Sequence, residues 1–523
     1  MGKNKKIAIV GAGEAAAPII RKAREMGVVS VAFGGDDSLC KQEADIFHNV
    51  DIFDIEKLFR IAKEENVDGV IASSEITSES AALLANKLNL PGNDVSKGFA
   101  GRNKYDMRCR MQNATYTKQP EYFLYDDQEI NKYPVVIKAV DSCGKRGISL
   151  VKTQVELNAA IKYAKEYSSN GMVLVEDYIE GGQEFSVECL ANGGKVQVIQ
   201  ITEKETSGPP HFVEIGHHQP AMIGYTCRCN IEKSAQEILS TLGITCGMAH
   251  LEIKVKNNDI YFIEVGARAG GDHIADILTV ISTDFDYYKA AIECSIGEYK
   301  EVEPHNICFS GLYFCCEQNA HLSELFKIAP DKKWCEIDML KNDHFEKVSS
   351  NIEAVNAGYF VYKADHKITL QDVKNTEYVA KRINDDPNAF SLLWEHNKEI
   401  GRTLTDEELT DGINKFIKNG NAIVILDDNH VIGFLNLYCN NFETRKAYIC
   451  NVYILDEYRG KGLSKKLVDE AISISYLNNF DSIVLHVAED NVKAINLYKG
   501  YGFEFTGKYK MTDEKELEME LYL

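Results

Sequence analysis

Two glutamates in one stretch set the first chemical expectation. Glu252 and Glu264 lie in MAHLEIKVKNNDIYFIEVGARAGGDH (residues 248–273), where two alternating runs flank Asn257-Asn258-Asp259. Asn/Asp clusters between such runs signal a hairpin turn. A turn symmetric about Asn258 predicts Lys256 against Ile260, Lys254 against Phe262 and Glu252 directly against Glu264. Leu251, Ile253, Val255, Tyr261, Ile263 and Val265 would then share the core face. Carboxylates opposed across a sheet repel, and a cation between them relieves this. Mg²⁺ suits such a site, because it takes one or two carboxylates and completes its shell with phosphate and water. Arg268 falls on the face of Glu264, and Gly270-Gly271 follows. A metal pair, a guanidinium and bare backbone amides together describe phosphoryl transfer. The same two glutamates would equally suit a solvated outer face.

Other residues point the same way. Lys138 ends a strand in YPVVIKAVDSCGKRGISLV (133–151), at the mouth of the loop Ser142-Cys143-Gly144-Lys145-Arg146-Gly147. Such a loop can fold over phosphates with its amides inward; a plain hairpin is the alternative. GRNKYDMRCRMQN (101–113) opens a helix with a basic cluster that includes Lys104. Much later, Arg459-Gly460-Lys461-Gly462-Leu463-Ser464 leads into an amphipathic helix with Leu467, Val468, Ala471 and Ile472 inward. Glycines at a helix start offer amides to an anion, and the macrodipole adds to this.

The elements that position these residues follow from pattern. KKIAIVGAG, EAAAPIIRKAREMG and VVSVAFGG read as a βαβ opening. Gly11-Ala12-Gly13-Glu14-Ala15-Ala16 fits a loose dinucleotide fingerprint, with Asp36/Asp37 near the ribose position, so an NAD-dependent oxidoreductase is one reading. Strand–helix alternation through about residue 95 predicts a parallel, doubly wound sheet. VEDYIEGGQEFSVE is a strand–turn–strand rich in carboxylates. The stretch 195–221 holds a Gly/Pro/His loop suited to a lid. Residues 300–365 mix short strands and turns. From about 366 a second α/β pattern starts.

The chain has 523 residues, ample for several domains, and a formal net charge of −21. That charge argues against a nucleic-acid protein, since phosphate backbones are bound by Lys/Arg surplus. Its 14 cysteines include no paired CxxC spacing, so zinc is not expected. No secretory leader or membrane-spanning run is expected, and a cytoplasmic location with reduced thiols fits best.

Residues 1 to about 365 resemble the ATP-grasp superfamily, especially its carboxylate–amine ligases, which include L-amino-acid ligases. NKYDMR, PVVIKAVDSCGKRGIS, VEDYIEGGQEFSVE, HLEIKV and FIEVGARAGGD carry the resemblance in order. It implies that Lys104 and Lys138 hold ATP phosphates under the loop with Gly144, Lys145, Arg146 and Gly147. It places Glu176, Asp177, Tyr178 and Ile179 along the adenine edge and Glu184 on the ribose. Glu252 and Glu264 would bind Mg²⁺, and Arg268 would stabilise an acyl phosphate beside Gly270 and Gly271. Glu214 and His217 would contact the ligase substrate. Many relatives carry Asn where this chain has Gly266.

RGKGLS followed by NVKAINLYKGYGF resembles the GNAT acetyltransferases over 366–523. The family's Arg/Gln-x-x-Gly-x-Gly/Ala is matched by Arg459, Gly462 and, as a departure, Ser464. The resemblance implies that Gly460, Lys461, Gly462, Leu463 and Ser464 grip the pyrophosphate of acetyl-CoA. Val452, Arg459 and Asn491 would also meet the cofactor, and Tyr498 would protonate the leaving thiolate. Glu457 and Glu489 are candidates for the base.

The expected architecture is α/β: a Rossmann-like pre-domain (1–100), a two-subdomain ATP-grasp core (101–365) and a GNAT domain (366–523). The expected enzyme is bifunctional, with small-molecule partners, and the ATP-grasp resemblance suggests a homodimer by analogy. ATP and Mg²⁺ would drive ligation of a carboxylate to an amine, and acetyl-CoA an N-acetylation. A GNAT domain that senses acetyl-CoA without turnover is the variant reading.

Overall fold

The computed structural model describes residues 5–523 apart from 97–98, 143, 210–211, 342–343, 375–377, 401–403 and 512–514. Cys143 of the glycine loop and the Pro210-His211 pair of the expected lid lie outside the described residues. The chain divides into two compact units, residues 1–221 with 230–363, and residues 222–229 with 364–523.

The first unit opens with a parallel sheet of four strands in the order Ile46–Asn49, Val29–Gly34, Lys6–Val10, Gly69–Ala72. Ile7 and Ile9 face one apolar layer and Ala8 and Val10 the other. A strand buried on both faces reads as a continuous apolar run, which KIAIV is. Helices Ile55–Glu65 and Ser78–Leu88 end in left-handed Asn66 and Asn89. In the expected dinucleotide loop, the Gly11 amide already donates to the Phe33 carbonyl at 2.9 Å.

Two further sheets carry the candidate site. One has four antiparallel strands, ordered Tyr122–Leu124, Val173–Asp177, Val135–Ala139, Ile148–Val151. The other has nine strands, with Lys195–Thr206, Gln183–Asn192, Cys246–Lys256 and Asp259–Gly266 adjacent at its centre. Residues 300–365 are not only strands and turns. They also hold helices Ser323–Ile328 and Asn351–Ala357, the latter capped by Ser350.

The opening hairpin differs from expectation in register. Its turn is the two-residue Asn257-Asn258, both left-handed (φ 53° and 63°), closed by Lys256 opposite Asp259. Asn tolerates that conformation and so favours the tight primed turn that matches strand twist. Lys254 therefore pairs with Tyr261, and Ile253 with Phe262. A β-bulge then inserts Ile263 and restores Glu252 opposite Glu264. Beyond the bulge the core residues are Ile260 and Phe262, while Tyr261 and Ile263 are half-buried.

The second unit has a seven-stranded sheet: Ala380–Arg382, Asn421–Asp427, His430–Tyr438, Lys446–Ile454, Ser482–Ala488, Lys515–Tyr522, Glu504–Met511. All its pairs are antiparallel except Lys446–Ile454 with Ser482–Ala488. That parallel pairing runs only from Lys446/Ser482 to Ile449/Leu485. Past it the two strands have no ladder between them. Helix Leu463–Leu477 buries Leu467, Val468, Ala471 and Ile474 against one face, with Ile472 only half-buried. Helix Asp406–Asn419 begins with a Thr405/Glu408 capping box.

Candidate functional site

Lys104 starts helix Lys104–Arg110, whose first turn is capped by the Asn103 side chain. Its ammonium is buried, 3.2 Å from Glu264 Oε2, and donates to the Ser142 carbonyl at 2.5 Å. One helix turn on, Arg108 is wholly enclosed. Its Nε donates to Glu176 Oε1 and its Nη2 to the carbonyl of the bulge residue Ile263, both at 2.7 Å. Lys138 lies 2.7 Å from the other Glu176 oxygen. Burial pushes the Glu176 carboxyl up, but Arg108 and Lys138 override it and hold the group at about 2.

Around the hairpin, a buried Lys204 lies 2.7 Å from Glu214 Oε1 and 3.1 Å from Glu252 Oε1. Burial opposes both carboxylates' charge, yet Lys204 keeps each well below the ordinary carboxylate range. Lys145 of the glycine loop reaches Glu214 Oε1 at 3.3 Å and the Phe212 carbonyl at 3.1 Å. Arg146 and Gly144 stand exposed and Gly147 buried. His217 Nε2 lies 3.2 Å from Glu214 Oε2, and polar atoms of Glu214, His217 and Asp272 lie within 4.8 Å of one another. Asn351 donates to Asp272 and accepts from the Glu214 amide. Glu184 pairs with Lys254, whose ammonium sits 5.3 Å from the Tyr178 ring centre.

Past the hairpin, the Arg268 guanidinium lies 3.6 Å from Glu75, which comes from the loop after strand Gly69–Ala72. Burial, with Glu264 and Glu252 nearby, pushes the Glu75 carboxyl up. A side chain at Gly266 would meet Arg268 at 3.3 Å and Glu75 Oε2 at 3.6 Å, so those two residues border the space beside it. Gly270 donates its amide to Glu188 Oε2 at 3.0 Å, and any Cβ there would lie 2.4 Å from Glu188 Oε1 and 2.7 Å from His250 Nδ1. Glu188 and His250 are themselves paired at 2.5 Å. Burial disfavours the imidazolium, but Glu188 outweighs this and pushes His250 up to about 9. Gly271 has open space around it.

In the second unit, Gly460 and Gly462 adopt φ of +81° and +78°, a turn that side chains resist. The turn delivers helix Leu463–Leu477, in whose first turn the Lys465 amide donates to the Gly462 carbonyl at 3.1 Å, and helix geometry gives the Leu463 and Ser464 amides no partner within the helix. Arg459 is tied back to Asp456 at 2.8 Å and to the Ile454 carbonyl at 3.1 Å. The Lys461 ammonium sits 4.8 Å from the Tyr458 ring centre. Val452 pairs with Leu435, on the side of its strand away from Ser482–Ala488. Asn491 caps helix Val492–Gly500 by accepting from the Ala494 amide. Tyr498 is buried beside Phe503, and burial pushes its phenol up to about 12.

Residues 131–276 match the ATP-grasp domain family, and residues 377–503 match the acetyltransferase (GNAT) family. The chain carries an ATP-grasp domain and a GNAT domain. It is an enzyme of the ligase and acyltransferase classes, and ATP, Mg²⁺ and acetyl-CoA are the cofactors of those two families. A formate-dependent phosphoribosylglycinamide formyltransferase from Wolinella succinogenes is 25% identical over 308 residues, which is 57% of this chain and 78% of the relative. The L-amino acid ligase from Bacillus licheniformis superposes with a TM-score of 0.56 at 22% identity, covering 70% of this chain and 94% of that one. The N5-carboxyaminoimidazole synthetase from Staphylococcus aureus, complexed with ADP, superposes at 0.52 and 16% identity, covering 72% and 96%. At those identities the structural likenesses establish the fold. No helix of the described residues is long and apolar enough to cross a membrane.

The residues fit Mg²⁺ and a polyphosphate. Two carboxylates face each other with Lys104 and Lys204 as flanking cations, and hard oxygen donors suit Mg²⁺. The sequence pattern did not single out Glu75, Arg108, Glu188, Lys204, His250 and Asp272. A signal existed for Glu188, an acid inside the buried strand SVECLA. Another existed for Lys204, in period-two alternation with Thr202 and Thr206.

Proposed function

We propose that this chain is a cytoplasmic bifunctional enzyme, with a pre-domain (1–100), an ATP-grasp core (101–365) and a GNAT domain (366–523). The first two join a carboxylic acid, an amino acid in this reading, to an amine at the expense of ATP. The third transfers acetyl from acetyl-CoA to an amine. One observation carries the ligase reading: Glu252 and Glu264 are held face to face, with Lys104 3.2 Å from Glu264, Lys204 3.1 Å from Glu252 and Arg268 within electrostatic reach of both.

Each residue then has a task. Lys104 and Lys138, now paired with Glu264 and Glu176, turn to phosphate oxygens, and the amides of 144–147 cover them. The 176–179 backbone lies along the adenine edge and Glu184 meets the ribose. Glu252 and Glu264 would hold Mg²⁺, which when bound would supply charge neutralisation for the phosphates. The substrate carboxylate attacks the γ-phosphorus, and Arg268 balances the charge of the acyl phosphate that forms. Gly271, with open space around it, leaves room for the acyl phosphate, Gly270 packs beneath it on Glu188 and His250, and Glu214 and His217 contact the substrate. An amine then displaces phosphate to give the amide.

In the GNAT domain the amides of 460–464 hold the pyrophosphate, with Arg459, Val452 and Asn491 along the cofactor. Tyr498, protonated at neutral pH, gives its proton to the departing thiolate.

Mass spectrometry of products from pooled amino acids and amines tests this, with Mg-ATP and acetyl-CoA supplied separately and together. A condensation product with ATP and a product 42 mass units heavier with acetyl-CoA are expected, the latter from replacing H by acetyl. ATP consumption without amide formation overturns the ligase reading. Absence of acetylated amine overturns the transferase reading.

A further inference from the structure

The GNAT sheet places an imidazole where its two central strands part. The ladder between Lys446–Ile454 and Ser482–Ala488 ends at Ile449/Leu485, and His486 is the next residue. Ile483, Leu485 and Val487 face helix Leu463–Leu477 and share an apolar layer with Tyr498. By strand alternation His486 faces the opposite side of the sheet. There its Nδ1 lies 3.2 Å from the Tyr448 hydroxyl, and its Nε2 lies 3.6 Å from Glu518 Oε2, on the strand paired to its own. Glu518 in turn accepts from Thr506 at 2.8 Å and lies 3.5 Å from Lys508. Glu457 and Glu489 do not share this setting: both are exposed, and Glu489 is paired with Lys515 at 3.1 Å.

We propose that His486 is the catalytic base of acetyl transfer, with Glu518 orienting it and Tyr448 relaying the acceptor's proton. The inference rests on the transferase reading above. Glu518 draws the Nε2–H, which leaves the Nδ1 lone pair toward Tyr448. The acceptor ammonium gives one proton to the Tyr448 oxygen as the phenol's own proton passes to Nδ1. The freed nitrogen attacks the thioester carbon, the C–N bond forms and the C–S bond breaks. The thiolate takes the Tyr498 proton, and the second amine proton leaves the adduct to restore Tyr498 through solvent. Base and acid thus act from opposite faces of the sheet, so neither can neutralise the other. Among the described residues, the charged and titratable groups facing His486 and Tyr448 include Cys450 beside Tyr448 on one flanking strand, Glu516 and Glu518 on the other, and Lys508 on the strand beyond it.

The test uses the full chain, acetyl-CoA and two acceptor probes: a panel of primary alkyl amines with the amino acids, and hydroxylamine, which is unprotonated at neutral pH. Thiol release is followed. His486→Gln is expected to slow alkyl-amine acetylation about 100-fold, while hydroxylamine acetylation and calorimetric acetyl-CoA affinity stay within about 3-fold of wild type. Raising the pH should recover part of the lost alkyl-amine rate, and added imidazole should rescue His486→Gly. An unchanged alkyl-amine rate, or equal loss with both probes, overturns the role of His486. A wild-type chain that acetylates neither probe overturns the transferase reading itself, and the base with it.

Discussion

Glu252 and Glu264 stand directly opposite each other because the hairpin ladder slips by one residue immediately beside them. The inserted residue, Ile263, has no partner in the ladder, and its carbonyl is taken by Arg108. Arg108 then grips Glu176, and Glu176 grips Lys138. One irregularity in one strand thereby connects the opposed carboxylates to Lys138 on another sheet.

The pair is most directly probed by Glu264→Ala. It removes one of the two proposed metal ligands and frees Lys104 from its 3.2 Å partner. ADP formation is expected to fall at least about 100-fold, and thiol release from acetyl-CoA to persist. Mn²⁺ binding followed by electron spin resonance should weaken in parallel. Ligation at wild-type rate would remove Glu264 from the metal site.

Lys138→Ala separates the same lysine's two roles. Turnover at saturating ATP should fall severely if Lys138 is the phosphate cation proposed above. The fold should weaken too, since breaking a buried ion pair costs about 3–5 kcal/mol. Arg108 still holds Glu176 in this variant, so the lower end of that range is expected. Calorimetry of the unfolding transition reads the second effect independently of the first.

Glu176 also predicts an acid limit. Its folded value, about 2, is below the ordinary 4.5. A depressed carboxylate contributes stability above its unfolded value and loses it as pH falls through the folded one. The contribution, on the order of 3 kcal/mol, is therefore complete above about pH 4.5 and gone near pH 2. Glu176→Gln should flatten unfolding free energy over that window and lower it at pH 7. An unchanged slope would mean that the Arg108–Glu176–Lys138 contacts persist after unfolding or do not form.

The sequence shows much of this arrangement, for reasons that differ by residue. Glu252 and Glu264 sit on period-two strands beside a turn signal, so their shared face was legible, whereas Arg268 lies in the bend after the strand ends at Gly266 and reaches Glu75 instead. Their pairing was legible through a wrong turn: a symmetric turn about Asn258 and a two-residue turn plus bulge both oppose the two glutamates. Bulges leave no pattern of their own, so the core positions Ile260 and Phe262 were misplaced. Glu75 is more than 170 residues from the strands it approaches, and no local period encodes that contact. Helix Ala389–Glu399 was not assigned, although Asn388 at its cap position was a signal; that Asn makes no side-chain cap bond. In the GNAT domain the Gly460–Gly462 turn was legible from composition. The His486 setting was not, since it depends on where a ladder ends.

Gly270→Ala tests packing beneath the site. The new methyl would lie within 2.4 Å of Glu188 Oε1, so the Glu188–His250 pair must shift or separate. A cost of about 1–3 kcal/mol is expected, as for other overpacked interiors. Ligase turnover should fall while acetyl transfer holds. Gly271→Ala, with open space around it, is the matched control and should fold normally.

Tyr498→Phe addresses the other chemistry. The phenol is buried against Phe503 and pushed up to about 12 by burial, so at pH 7 it carries its proton. Phenylalanine keeps the ring and its packing and removes only the hydroxyl. Acetylation should slow about 100-fold if the departing thiolate depends on that proton, with acetyl-CoA affinity and ADP formation unchanged. The loss should shrink for an acyl thioester whose thiol is more acidic than CoA, because a better leaving group needs less help. An equal loss for both thioesters would assign Tyr498 a packing role and leave the proton to water.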